Sequence, residues 1–141
     1  MKRFGICLLL ACVCVMAVFA ARDKKTAAAA KVDYDFTKIN YYVASGVIFD
    51  MMVSPEKYAG KTVKINGQFL SDVIEGRRVH AVVLWDMTGC CPSGLNIVPR
   101  EGMQYPADFP ASGNYATFFG TLRMLKLTDD EALCLVVDKW E

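Results

Sequence analysis

Apolar and polar residues alternate along the chain in a way that defines its strands. In strand one, 61–74, Val63, Ile65 and Phe69 share one face, and Lys64, Asn66 and Gln68 share the other. That period marks a half-buried antiparallel strand. Gly67 falls on the apolar face, where a missing side chain permits a sharp coil or a bulge. The pattern returns downstream: Ala116-x-Phe118-x-Gly120-x-Leu122 repeats Val63-x-Ile65-x-Gly67-x-Phe69 and predicts strand four over 115–126. Strand two is expected over 78–85, with an apolar centre at 81–84. Strand three is short, 95–98, and closed by Pro99. Strand five covers 132–139. Glu75-Gly76 and Thr128-Asp129-Asp130 supply turns. Residues 100–114 form a long connection with Pro106, Pro110 and Gly113, expected to be pinned by Tyr105 and Phe109.

Before these strands the period changes to that of a helix, over 40–53. Val43, Val47 and Met51 recur at four-residue spacing, and Ala44, Ile48 and Met52 repeat them one step around, so both sets are expected in one core-facing stripe. Asn40 suits the N-cap. Ser54-Pro55-Glu56 opens a further helical turn, and Gly60 ends it. Two glycine-bent strands leading into hairpins suit a sheet that curls shut. The predicted fold is mainly β: a small five-stranded OB-fold-like barrel with one N-terminal helix, occupying 37–141. A flat sheet packed on the helix is the alternative.

The first residues stand outside this pattern. Met1-Lys2-Arg3 is basic, and 4–21 carry no charge. Val18-Phe19-Ala20 fits a signal-peptidase site, so 1–20 reads as a signal peptide, followed by a tether over 21–36. Retention of the apolar run as an anchor and lipidation at Leu9-Leu10-Ala11-Cys12 are the alternatives. All three readings export the protein to the periplasm or cell envelope, with membrane contact only through an uncleaved N-terminal segment. Without Lys2 and Arg3 the 16 basic residues fall to 14 against 15 acidic ones, a net charge of −1. No basic stripe remains, which argues against nucleic acid as a partner.

Pro55-x-x-Tyr58-x-Gly60-Lys61-x-Val63-x-Ile65-x-Gly67-x-Phe69, followed by Asp86 and Cys90-Cys91, resembles a group of exported or membrane-attached bacterial OB-fold-like domains. The resemblance spans 40–138 and implies the barrel but no catalytic residues. This chain departs from it after the double cysteine, with Pro92-Ser93-Gly94 where the group has small and acidic residues.

Three cysteines remain after the apolar segment: Cys90, Cys91 and Cys134. In an OB topology strands three and five run parallel and adjacent, which draws all three toward one end. A disulfide from Cys134 to Cys90 or Cys91 is the leading expectation in an oxidising compartment. The alternatives are a thiolate site for zinc or copper, with His80 or Asp86 as a fourth ligand, a redox role, or unpaired thiols. His80 is expected to be structural, and Trp85 and Trp140 to be core or rim residues. No phosphate loop, nucleophile–histidine–acid set or zinc-protease signature is present, and Asp129-Asp130-Glu131 reads as a turn. The functional expectation is a non-enzymatic envelope module binding a small ligand or an envelope protein, with no cofactor. The alternative is a metal-handling or thiol-redox protein using Cys90, Cys91 and Cys134.

Overall fold

The computed structural model describes residues 32–127 and 130–141. The signal-peptide reading, the tether up to Lys31, and the turn at Thr128-Asp129 lie outside the described residues. The elements are β1 (Tyr34–Asp35), α1 (Tyr41–Val53), β2 (Thr62–Ile74), β3 (Arg77–Leu84), β4 (Ser93–Pro99), β5 (Tyr115–Lys126) and β6 (Glu131–Trp140), with short 3-10 turns at Phe36–Lys38 and Pro55–Lys57. The strands form one mixed sheet in the order β1-β2-β3-β4-β6-β5, and β2 also pairs with β5. Its hydrogen bonding therefore runs in a ring through β2, β3, β4, β6, β5 and back to β2. The expected parallel neighbourhood of the third and fifth long strands is present: β4 and β6 pair in parallel, Asn96 opposite Cys134.

Close approach between strands explains the glycines of the repeated pattern. A Cβ on Gly67 would stand 2.7 Å from the Val83 carbonyl oxygen and 2.8 Å from a Val82 methyl. One on Gly120 would stand 2.1 Å from the Val136 carbonyl oxygen, and the β5–β6 register shifts at Phe119/Gly120. Both sites need a residue without a side chain for the strands to coil into each other.

The core gathers Val63, Ile65 and Phe69 of β2, Val82 of β3, Phe118 and Leu122 of β5, and Leu135 and Val137 of β6. Helix α1 closes it. Asn40 caps the helix, its Oδ1 accepting from the Val43 amide at 3.0 Å. The core-facing residues are Ala44, Ile48 and Met51. Here the structure corrects the sequence reading, because Val43 and Met52 face solvent, 50% and 60% exposed. The helix is apolar on nearly every side, so hydrophobic spacing alone does not select its buried face.

The domain also begins earlier than position 37. β1 pairs in parallel with β2, Tyr34 opposite Val63, and Phe36 is buried. The Asp33 carboxylate accepts from the Thr62 amide and hydroxyl, both at 2.9 Å, which fixes the entry of the chain. Phe109 in the long connection is buried and stacks on Phe69 and His80. The connection is further held by the Trp140 indole, which donates to the Asp108 carbonyl at 2.7 Å.

Candidate functional site

The turn between β3 and β4 is built by one carboxylate. β3 ends at Leu84, and Trp85 is anchored by its indole N–H donating to Gln68 Oε1 at 2.8 Å. Asp86 follows. Its Oδ1 accepts from the Cys90 amide at 2.9 Å and, at 3.4 Å, from the Cys91 amide. Its Oδ2 accepts from the Thr88 hydroxyl at 2.6 Å, and its carbonyl accepts from the Gly89 amide at 3.0 Å. Gly89 takes φ +70, a left-handed conformation that glycine adopts at no steric cost and that turns the chain back over Asp86. The bonds to its carboxylate oxygens, the Thr88 hydroxyl first, hold the Asp86 carboxyl below its ordinary value.

The same folding-back brings the two cysteines onto the carboxylate. Cys90 Sγ lies 3.6 Å from Asp86 Oδ2, 3.0 Å from the Thr88 hydroxyl and 3.2 Å from Cys91 Sγ. One donor atom from each of Asp86, Cys90 and Cys91 lies within 4.8 Å of the others, and both thiols are exposed. The Cys91 thiol is pushed up, first by its hydrogen bond with Cys90 and the Cys90 charge, and in smaller part by the Asp86 charge. The far side of the turn is tied to α1, where the Tyr41 hydroxyl donates to the Cys91 carbonyl. Tyr41 and Trp85 also line a neighbouring cleft of about 550 Å³, with Lys64 and Asn66 on its β2 wall.

The structure thus brings together Asp86, Cys90 and Cys91, and separates them from the other two candidates. Cys134 is fully buried in β6, its thiol directed at the Ala132 carbonyl at 3.5 Å, and burial pushes it up to about 11. The disulfide expected from Cys134 to Cys90 or Cys91 is corrected here, since all three are free thiols. The parallel pairing that motivated it is present, but its register sets Cys134 opposite Asn96 in mid-strand, not opposite the turn that precedes β4. His80 is buried on β3 against the rings of Phe69, Tyr105 and Phe109, outside the donor group. Tyr41 and Thr88 do not stand out as site residues in the sequence pattern. The Asp86-x-Thr88-Gly89-Cys90 order carries a signal for Thr88, as aspartate and threonine commonly close such turns on their own backbone. Nothing in the sequence marks Tyr41.

Comparison with protein-family models and with curated proteins finds no match for this chain.

Proposed function

We propose that this is a non-enzymatic binding module of the cell envelope, built on an OB-fold, that captures a zinc ion at Asp86, Cys90 and Cys91. The observation that carries the reading is the convergence of two exposed sulfurs and a carboxylate oxygen within 4.8 Å on one hydrogen-bonded turn. The charge around the sulfurs favours a metal over redox chemistry. Reactive redox cysteines sit in electropositive surroundings that stabilise the thiolate. Here the nearest charged group is the Asp86 carboxylate, which opposes a lone thiolate and attracts a cation. Thiolates select zinc or monovalent copper, and an oxygen donor beside them suits zinc. Three protein ligands leave the fourth tetrahedral position open for water or for a ligand from a partner. The ring order of the strands and the parallel β4–β6 pairing support the OB-fold reading.

The test is zinc titration against a chromophoric chelator, using the chain with Cys7, Cys12 and Cys14 changed to alanine. One equivalent of zinc is expected, abolished by Cys91→Ser and untouched by Cys134→Ser. Asp86→Asn keeps an acceptor for the turn but removes the charged ligand, and should weaken binding by about 100-fold or more, beyond the roughly 10–100-fold that loss of an outer partner of a metal ligand costs. Absence of zinc binding would overturn the proposal. So would zinc affinity indifferent to Asp86→Asn, which would assign binding to the thiols alone.

A further inference from the structure

Helix α1 is apolar on its solvent side as well as on its core side. Opposite Ala44, Ile48 and Met51, the residues Tyr42, Gly46, Phe49 and Val53 follow one another at helical spacing. Tyr42 is 74% exposed, and Phe49 and Val53 are each 63% exposed. Val43 and Met52 flank them. Asp50 is the only charge on the helix, and it accepts from the Tyr58 hydroxyl at the edge of this stripe. A helix apolar all round is normally covered on every side, and a contiguous exposed apolar patch marks an interaction surface. With 13 residues α1 does not span a bilayer, and no helix among the described residues is long and apolar enough to do so.

Two observations indicate what covers the stripe. The chain preceding the domain is basic: Arg22, Lys24, Lys25 and Lys31 against Asp23. Past the end of α1, Lys57 and Lys61 are exposed, against Glu56. The described chain itself enters the domain beside the helix end. Tyr34, two residues after Val32, packs its ring 5.5 Å from that of Tyr58, and Tyr58 bonds Asp50 in the last turns of α1. An aromatic and aliphatic helix face with basic residues close by in the sequence is the composition of helices that lie in the plane of a membrane interface. Anionic headgroups attract basic segments next to such a face. We propose that α1 docks the domain on an anionic lipid surface, with Tyr42, Phe49, Met52 and Val53 entering the headgroup region. A second copy carries the same basic residues and offers them no counter-charge, whereas an anionic headgroup does, so lipid is the occupant that charge favours. The inference is independent of the zinc reading.

Hydroxyl-radical footprinting tests it on the full chain, reconstituted in vesicles of phosphatidylethanolamine and phosphatidylglycerol. Tyr115 is 63% exposed on β5 and serves as the reference for Tyr42. Tyr42, Phe49 and Met52 are expected to be labelled several-fold more slowly than their exposure predicts relative to Tyr115, whatever the protein-to-lipid ratio. Phe49→Glu, at an exposed position that leaves the core intact, should restore labelling of Tyr42 and Met52 with unchanged circular dichroism. Labelling of Tyr42 equal to that of Tyr115 in the wild-type chain would overturn the proposal. Protection that disappears as protein is diluted in lipid would overturn it in favour of a second copy.

Discussion

Gly67 and its neighbours show how much one hydrogen atom decides in this sheet. Valine at Gly67 would drive its Cβ into the Val83 carbonyl and the Val82 side chain, so the strands would have to part. The Gly67→Val change should lower stability by about 3 kcal/mol or more, the upper end of overpacking costs. Gln68 is a poor comparison, because its side chain accepts from Trp85 and donates to the Gly113 carbonyl at 2.8 Å. Asn66 makes one exposed bond, to Thr117. Asn66→Val should cost no more than about 1.5 kcal/mol, the usual worth of a single hydrogen bond. Urea denaturation of both variants checks the contrast, and equal losses would count against tight coiling at Gly67. His80 offers a different residue-scale test. Burial first, and the Arg78 charge second, hold its protonation below the ordinary value near 6.5. The unfolded chain therefore takes up the proton first. The stability that neutral His80 confers is complete above the ordinary value and is lost as pH falls from there toward the folded value. Its Nδ1 is buried without a hydrogen-bond partner among the described residues. His80→Phe should flatten that acid-side loss without lowering stability at neutral pH, as read from unfolding midpoints on either side of the histidine range.

At the level of elements, α1 contributes through a narrow contact, and its cap and its buried face can be separated by mutation. Asn40→Ala removes the acceptor for the Val43 amide and should cost about 1 kcal/mol. Ile48→Ala opens a cavity at a fully buried position and should cost about 2–5 kcal/mol. Thermal melts rank the two, and a reversed order would mean that the helix does not close the core as described. The long strands were legible in the sequence because one face is wet and the other dry, so a two-residue period had to appear. The orientation of α1 was not legible, because its outer stripe is as apolar as its inner one. The short β1 falls within the stretch that the sequence marks as tether, since two residues cannot show a period and its pairing partner lies almost thirty positions away. At the site, the cysteines and Asp86 were legible as residue types. Their grouping was not, because it depends on Asp86 accepting two amides across a turn rather than on spacing along a strand.

For the molecule as a whole, the placement of the described thiols inside and outside the core predicts a two-step reaction with alkylating agents. Cys90 and Cys91 should be modified in the native protein, and Cys134 only after unfolding, with the same peptide map in the presence or absence of reductant. A peptide joining Cys134 to the pair would contradict the structure. The strand order carries one more consequence. β6 follows the other strands in sequence, yet it lies between β4 and β5 and, among the described residues, is the only element that bonds them to each other. Until it arrives, β4 and β5 are both open edges, able to recruit strands from other molecules. Assembly in chain order therefore leaves both of these edges open until the C-terminal strand arrives. The ring shuts in a late, long-range step, which slows folding and places the greatest aggregation hazard in the interval before the C-terminal strand inserts.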